Sequence, residues 1–157
     1  MFALIQLPPK SEGTEDILEF RRGYQWLKNF WPSPVLFEGH AYPTVEHAYQ
    51  AAKTVNEEQR ARVRGARLPS IARAYGQKVH MRPNWADLKI PTMLDLLRQK
   101  FSRKPLRDYL LLTGGVKIEE GNWWGDRFWG VCPAGSGSGE NNLGKLIMQV
   151  REELRRN

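Results

Sequence analysis

Four polar side chains in the stretch 42–53, which reads YPTVEHAYQAAK, have types and spacings that could support chemistry. Their spacing of i, i+3, i+4 and i+7 would place them along one line of a helix: Glu46, Tyr49, Gln50 and Lys53. Together they supply a carboxylate, a phenol, an amide and an amine. A solvated helix face with a weak charge pair has the same pattern, so the stripe alone does not assign a function.

Three carboxylates could take part in the cleavage of a glycosidic bond: Glu46, Glu120 and Asp126. Such cleavage passes through an oxocarbenium-like transition state. It needs a carboxylate or another nucleophile near the anomeric carbon and an acid for the leaving group. The first turn of a helix favours the ionised form of Glu46, which suits charge stabilisation or base work. Glu120 and Asp126 lie beside turns, where carboxylates are also common for structural reasons.

Lys53 is a candidate amine nucleophile if burial or a partner group lowers its pKa. An ammonium group at this position could instead hold an anionic part of a ligand by its charge. The sequence leaves both roles open.

Residues 123–130, WWGDRFWG, are unusually rich in tryptophan. Some of these rings must belong to a core, whereas others, such as Trp124, could stack on a base or a sugar. Trp85 follows a Pro-Asn break and could be either a lid or a core plug.

A glycine-rich segment, residues 133–139, precedes the last predicted helix. Gly137 and Gly139 would let backbone N–H groups approach a ligand, and a helix N-terminus favours negative charge, so the segment could hold a phosphate or pyrophosphate. It matches neither a Walker A loop nor a Rossmann turn. A flexible surface connection would have the same composition, and Asn142 is a better candidate for a helix N-cap than for a ligand contact.

Composition favours a single soluble domain over residues 1–157, with 1–14 as a loose start. The chain is 41% hydrophobic with six Trp, which excludes a disordered protein. The single cysteine, Cys132, excludes an internal disulfide and fits a reducing compartment. The three histidines lack the spacing of a metal site, and no segment is long enough to span a bilayer. We therefore expect a cytoplasmic protein that needs no metal, cofactor or membrane.

The net charge of +7 favours anionic partners, including nucleic acid. Basic residues concentrate in three stretches, 60–73, 98–107 and 151–156. Acidic residues are interspersed in two of them, so direct contact with DNA is a hypothesis that the charge alone does not decide.

Hydrophobic periodicity predicts a mainly α-helical domain with a few short β-strands. Thr44 is expected to cap the central helix, which should run to about residue 54. The other predicted helices are 57–64, 71–75 or beyond, 92–101, 106–113 and a long one from about 142. A hairpin is predicted over 35–42. A short strand is expected at 116–120, a loop and short strand over 123–131, and a strand or extended segment at 17–26. Residues 2–7 are a short strand if the start of the chain is not loose.

Taken in order along the chain, these residues resemble the NADAR family, also called YbiA-like, from about Phe20 to Leu154. The resemblance rests on many short segments: Leu27, Asn29-Phe30, Trp31-Pro32-Ser33-Pro34, 42–53, Arg82-Pro83, Trp85, Lys100-Phe101, Glu120-Gly121-Asn122, Trp124-Gly125-Asp126, Phe128-Trp129-Gly130 and Asn142-Leu143-Gly144. Their number and order make the match specific.

The resemblance implies a compact, mostly helical YbiA-like fold and N-glycosidase chemistry. Members of the family are linked to ADP-ribose and NAD metabolism. Some remove ADP-ribose from guanine in DNA, and others hydrolyse phosphoribosylated intermediates of riboflavin synthesis. A substrate that contains ADP-ribose or a phosphoribosyl group is therefore expected, and DNA is a candidate partner.

The resemblance also implies an active site. The expected positions are Glu46, Lys53, Trp85, Glu120, Trp124, Asp126 and Asn142, with Arg21 and Asn29 beside them. A non-catalytic binder of ADP-ribose or nucleic acid would need the aromatic residues and the glycines more than three ionisable groups. The presence of Glu46, Lys53 and Asp126 together therefore favours an enzyme.

Three positions, Arg22, Gly23 and Lys28, depart from the family pattern. The usual Phe-Arg-Gly-Glu opening is here Phe20-Arg21-Arg22-Gly23, and the usual Ser before Asn29 is Lys28. The changes remove an acidic position and add positive charge, which would suit a phosphate-rich or nucleic-acid substrate.

Overall fold

Six α-helices and one two-stranded sheet form the regular structure of residues 15–157, the part of the chain that the computed structural model describes. The strands are β1 (Val35–Phe37) and β2 (His40–Tyr42). The helices are α1 (Val45–Ala52), α2 (Glu57–Arg64), α3 (Pro69–Gly76), α4 (Trp85–Phe101), α5 (Leu106–Leu112) and α6 (Asn142–Arg156). The predicted mainly α-helical class is confirmed. The expectations for residues 1–14 lie outside the described residues.

The described residues fall into two units, 29–100 on the one hand and 15–28 with 101–157 on the other. The first unit contains the hairpin and helices α1 to α3, with nearly all of α4. The second contains α5, α6 and the loops between them. None of the helices in residues 15–157 has the length and apolar character needed to cross a membrane.

The hairpin confirms the prediction for residues 35–42. Its strands pair antiparallel, with Val35 opposite Tyr42 and Phe37 opposite His40. The two turn residues, Glu38 and Gly39, both have positive φ, 44° and 84°. A two-residue hairpin of this type requires that conformation at both positions, and it matches the twist of the strands.

Helix α1 begins as the sequence predicted but is buried on every side. The Thr44 hydroxyl accepts a hydrogen bond from the His47 backbone N–H at 3.1 Å, which confirms the N-cap. All eight residues of the helix are buried, because α2, α3 and the two strands pack around it. The interpretation of its polar stripe as a solvated face is therefore wrong for Glu46, Tyr49 and Gln50.

Helix α4 begins at Trp85, about two turns earlier than the predicted start at residue 92. Pro91, taken as the start of a helix, lies inside it. A proline there removes one helical hydrogen bond, but the helix continues on its N-terminal side. The Trp85 ring is buried, and its backbone N–H bonds to the Arg82 carbonyl at 3.2 Å. Tertiary packing thus outweighs the local signal of the proline.

The predicted strands at 17–26 and 116–120 are reduced to single bridges. Ile17 pairs with Ile118 and Gly121 with Val131, both in parallel. A short 3-10 turn, Gln25–Leu27, occupies the rest of the first segment. An isolated bridge is not a strand, so the strand at 116–120 and the strand alternative for 17–26 are wrong.

Helices α5 and α6 confirm the periodicity of their sequences. Four apolar residues of α6 are buried: Leu143, Leu146, Ile147 and Val150. In the same unit the Trp26 ring contacts Phe101 and Tyr109, with centroid distances of 6.2 and 5.6 Å. Gly114, just past α5, has the positive φ of 65° that a helix C-terminus favours.

Lys100 should make the stability of the fold depend on pH. Its side chain is fully buried, and burial lowers its pKa from 10.5 to about 7. The unfolded chain therefore binds a proton that the folded chain releases between pH 7 and 10.5. The free energy of unfolding should rise across this window by up to about 1.4 kcal/mol per pH unit. Urea denaturation at pH 7, 8 and 9 would measure the rise.

Lys100→Met should flatten this pH dependence, and Met at the exposed Lys145 should leave it unchanged. An equal slope in wild type and Lys100→Met would contradict the assignment.

Candidate active site

Glu46 is a buried carboxylate in the first turn of α1, only 3% exposed. Its backbone N–H donates to the Asn29 carbonyl at 3.1 Å. Its Oε1 accepts one hydrogen bond from Gln50 Nε2 at 2.8 Å and another from Arg73 Nε at 2.9 Å. The i, i+4 spacing of Glu46 and Gln50 thus produces the contact that it allows.

Arg73 is a site residue that the sequence reasoning missed. It projects from α3, and its guanidinium lies 4.5 Å from the centroid of the Phe30 ring. A cation over an aromatic face is a favourable arrangement. In the sequence Arg73 is only the last member of the basic stretch 60–73. No spacing links it to Glu46, 27 positions earlier.

Lys53 follows α1 and is half-buried, with its Nζ 5.6 Å from the centroid of the Tyr49 ring. Burial lowers the pKa of Lys53 below its usual 10.5. The Glu46 carboxylate opposes this shift and the Arg73 guanidinium adds to it. The backbone carbonyl of Lys53 accepts a hydrogen bond from the Arg82 N–H at 2.8 Å, which fixes the chain at this point.

Trp85 packs against Tyr49, with ring centroids 5.2 Å apart and planes tilted by 57°. Both rings are buried. Of the two alternatives for Trp85, the structure thus supports a core plug. Because Lys53 lies over the Tyr49 ring, the Tyr49–Trp85 pair is also next to Lys53.

Asn29 lies next to Glu46, because its backbone carbonyl accepts the hydrogen bond from the Glu46 backbone N–H. Its Nδ2 lies 3.7 Å from Met93 Sδ. Its Oδ1 is buried, with no hydrogen-bond partner among the described residues. Buried acceptors in folded proteins are usually paired, so this unpaired oxygen is an exception.

Gly76 leaves space for the Gln50 amide beside Glu46. A Cβ at this position would lie 2.0 Å from Gln50 Oε1 and 2.7 Å from its Cβ and Cδ. We expect Gly76→Ala to lower the free energy of unfolding by about 1–3 kcal/mol through overpacking. The higher helix propensity of Ala offsets up to about 1 kcal/mol of this loss. Urea denaturation would measure the change.

The matched variant is Gly115→Ala, whose Cβ would meet nothing within 4 Å. Equal losses in the two variants would show that the contact with Gln50 is not the cause.

In the other unit, Asn122 holds two of the predicted carboxylate residues. It is fully buried. Its Nδ2 donates to Glu120 Oε2 at 3.0 Å and to the Asp126 carbonyl at 2.7 Å, and its Oδ1 accepts from the Asp126 N–H at 3.1 Å. In the sequence Asn122 is only part of the Glu120-Gly121-Asn122 segment of the family resemblance, because side-chain bonding of this kind has no periodic signature.

Asp126 organises the turn that follows it. Its Oδ1 accepts hydrogen bonds from the backbone N–H groups of Phe128 and Trp129, at 3.1 and 2.9 Å. This is the structural role that a carboxylate beside a turn commonly has. Its predicted catalytic role, like that of Glu120, stays a prediction.

The first N–H groups of α6 are already occupied. Those of Asn142 and Leu143 donate to the carbonyls of Phe128 and Trp129, at 3.2 and 3.0 Å. The idea that this helix end holds a phosphate is therefore wrong for these donors. The N-cap prediction for Asn142 is also wrong, because α6 begins at Asn142 and its side chain instead donates to the Phe128 carbonyl at 2.8 Å.

The two glycines predicted to bind substrate are exposed and have positive φ, 74° for Gly137 and 141° for Gly139. A Cβ on Gly139 would lie 2.3 Å from the Gly130 carbonyl oxygen. Close approach between two backbone segments thus explains this glycine. A ligand contact at either position stays a prediction.

Two tryptophans are exposed in the same unit, Trp123 at 61% and Trp124 at 66%. Trp123 Nε1 donates to Glu19 Oε1 at 2.7 Å, and Arg21 Nε lies 3.9 Å from the same oxygen. Trp124 and Arg21, both predicted to contact a ligand, therefore have exposed side chains.

The structure thus divides the predicted site residues between the two units. Residues 29–100 contain Asn29, Glu46, Tyr49, Lys53 and Trp85. The other unit contains Arg21, Glu120, Trp124, Asp126, Gly137, Gly139 and Asn142. In the first unit Arg73 contacts Glu46, and Tyr49 contacts both Lys53 and Trp85. The charges of Glu46 and Arg73 link the two groups by acting on the pKa of Lys53.

Comparison with known proteins agrees with the resemblance seen in the sequence. A model of the NADAR domain matches residues 19–155. The N-glycosidase YbiA of Escherichia coli is 36% identical over 134 residues, which cover 83% of this chain and 82% of that protein. An N-glycosidase of Nostoc punctiforme is 36% identical over 138 residues, 84% of this chain and 86% of that protein.

A riboflavin biosynthesis protein of Vibrio vulnificus is 35% identical over 134 residues, which cover 82% of this chain and 35% of that protein. Among solved structures, the NMR structure of E. coli YbiA matches with a TM-score of 0.78 and 32% identity. It covers 95% of this chain and 94% of that chain. The expected fold is thereby confirmed.

Proposed function

We propose that this chain, which belongs to the NADAR family and is an N-glycosidase, releases ADP-ribose from ADP-ribosylated guanine in DNA. The observation that carries the proposal is the group of contacts on α1. There a buried Glu46 carboxylate lies in the same cluster as Lys53, whose pKa is lowered by burial. Such a pair suits the cleavage of a bond from a ribose carbon to a base nitrogen.

Glu46 acts as the group that stabilises positive charge on the ribose. The oxocarbenium-like transition state carries this charge at C1 and the ring oxygen. A carboxylate fixed by hydrogen bonds in a buried place can stabilise it with little reorganisation. Water at such a place would be a weaker partner, because its dipoles must reorient during the reaction.

Lys53 acts as the nucleophile at C1 of the ribose. Its neutral amine forms an Nζ–C1 bond while the bond from C1 to the guanine nitrogen breaks. The proton that the new ammonium gives up balances the one that the departing guanine nitrogen takes. Water then adds at C1, which frees ADP-ribose and returns the amine. The lowered pKa supports this role, since only the neutral amine is nucleophilic.

Asn29 contributes to binding through its unpaired Oδ1. A ribose hydroxyl is a donor that would satisfy this buried oxygen. A substrate without that hydroxyl would leave the oxygen unpaired, so Asn29 favours ribose over deoxyribose at the cleaved bond.

The positive charge of the chain supports the proposal that the modified base is part of DNA. The net charge is +7, and the two basic departures from the family pattern, Arg22 and Lys28, are exposed. When a polyanion binds such charges, counterions are released, so its affinity falls as the salt concentration rises. A second candidate is the hydrolysis of phosphoribosylated riboflavin intermediates, which the similarity to a riboflavin biosynthesis protein favours.

A turnover assay with two substrates tests the proposal. One is a DNA oligonucleotide that carries ADP-ribosylated guanine, and the other is a free phosphoribosylaminopyrimidine. We expect release of ADP-ribose from the DNA. Cleavage of the small molecule alone would support the second candidate, and binding of ADP-ribose with no turnover of either would support a non-catalytic binding module.

The double variant Arg22→Gly with Lys28→Ser tests the contribution of charge. It should weaken turnover of the DNA substrate at low salt and reduce the salt dependence of KM. Unchanged turnover at all salt concentrations would contradict a role for these two residues.

A further inference from the structure

We propose that Arg73 is a positioning residue, which with Gln50 fixes Oε1 of Glu46 and so leaves Oε2 to face the reacting sugar. The inference rests on the proposed N-glycosidase function, and it adds a residue and a role that neither the sequence pattern nor the similarity to relatives indicates. Arg73 acts through Glu46 and not on the substrate.

The two oxygens of the Glu46 carboxylate differ in their hydrogen bonds. Both hydrogen bonds that the described side chains give it end on Oε1, from Gln50 Nε2 at 2.8 Å and from Arg73 Nε at 2.9 Å. Two donors on one oxygen set the rotation of the carboxylate about its last bond. They also commit the lone pairs of Oε1, so Oε2 is the oxygen that remains for chemistry.

The two donors, Gln50 and Arg73, are themselves held by their surroundings. The Arg73 guanidinium lies 4.5 Å from the Phe30 centroid, which restrains its plane. The Gln50 amide lies against Gly76, where a Cβ would be 2.0 Å from Oε1 of Gln50. Arg73 and Gly76 are three residues apart on α3 and therefore share a face of that helix. One helix thus sets both contacts to Glu46.

The exposure of the Arg73 side chain distinguishes this role from that of an ordinary ion pair. The Arg73 side chain is 46% exposed and that of Glu46 only 4%. Solvent screens the half-exposed Arg73 guanidinium, so its charge alone is a weak reason for an arginine at this position. An arginine in this place is better explained by orientation, since its planar group donates along a fixed direction.

The cluster also provides a readout that does not need turnover. Lys53 is faced by Glu46 and Tyr49 of α1 and by Arg73 of α3. The Arg73 charge lowers the pKa of Lys53 and the Glu46 charge raises it. Arg73→Gln should therefore raise the pKa of Lys53, and Glu46→Gln should lower it. An NMR titration of the lysine side chains would measure both shifts.

The kinetic test compares Arg73→Gln, Arg73→Lys and a matched control, Arg62→Gln. Arg62 also stacks on a ring, that of Tyr75 at 4.3 Å, but it is exposed and has no contact with Glu46 among the described residues. We expect Arg73→Gln to lower kcat by about 10- to 100-fold, the scale of a small misplacement of a reacting group. KM should change less than about threefold. Arg73→Lys should recover part of kcat, and Arg62→Gln should match wild type.

A double-mutant cycle decides how Arg73 acts. If it works through Glu46, Arg73→Gln should cause no further loss of kcat when Glu46 is already Gln. An equal loss in both backgrounds would overturn the proposal and assign Arg73 to the substrate. A change in KM alone, or a loss no larger than that of Arg62→Gln, would also overturn it.

The two readouts keep the proposals distinguishable. If wild type turns over neither substrate, the proposed function fails and the titration alone tests the contacts of Arg73. A rise in the Lys53 pKa in Arg73→Gln, absent in Arg62→Gln, would support the arrangement. No shift in either variant would overturn it.

Discussion

Replacing Glu46 with Gln should lower kcat for the DNA substrate by about 10²- to 10⁴-fold, the range for a group that handles charge or protons in the transition state. The amide has nearly the shape of the carboxylate, and its carbonyl oxygen can still accept the hydrogen bonds of Gln50 and Arg73. What it loses is the negative charge next to the ribose. Initial rates at saturating substrate would measure the loss.

The expected loss is one of turnover and not of binding. ADP-ribose should bind Glu46→Gln with nearly the wild-type Kd, measured by calorimetry. Glu58→Gln is the matched control, because Glu58 also lies in the first turn of a helix, α2, but is exposed. Retention of full kcat in Glu46→Gln would remove this carboxylate from the mechanism.

Replacing Lys53 with either Met or Arg should lower kcat by about 10³-fold or more, as expected when a covalent nucleophile is lost. Arginine keeps the positive charge, so it separates the two roles that the sequence left open. If Lys53 is a nucleophile, both variants lose its function. If its charge holds an anionic part of the ligand, Lys53→Met loses that function and Lys53→Arg largely keeps it. Met at the exposed Lys78 is the control.

The pH dependence of wild type gives an independent check. Burial lowers the pKa of Lys53, so the neutral amine becomes abundant at a lower pH than for a free lysine. If the amine attacks the sugar, kcat should rise with pH through that pKa. If the ammonium clamps an anion, the rate should fall through the same range. If the ribose ring of the Nζ–C1 adduct opens to an imine, borohydride added during turnover should trap the sugar on Lys53. Failure to trap it would exclude a Schiff base.

The elements of the fold were predictable where local signals and packing agree. Thr44, the turn at Glu38-Gly39 and the apolar stripe of α6 each have one dominant local preference, and each formed as expected. Pro91 shows the opposite case. Its local signal predicts a helix start, but burial of Trp85 extends the helix before it.

The residues of the site were predictable only in part, because much of its order comes from long-range contacts. The α1 stripe could be recognised from its spacing, although not that it would be buried by α2 and α3. Arg73 could not be recognised, since its contact with Glu46 depends on how α3 packs against α1. The glycine segment predicted a free helix end, whereas the α6 donors are taken by carbonyls of residues 128 and 129.

Those occupied donors have a thermodynamic consequence for the loop that carries Trp123 and Trp124. Its carbonyls take the place that a capping side chain or water would otherwise fill at the start of α6, and Asp126 fixes its turn from within. The backbone under the two exposed rings is therefore already ordered. A base or sugar that stacks there would meet little of the conformational entropy loss that ordering a loop on binding requires. Less of the gain from each stacked ring would then be lost to ordering of the loop.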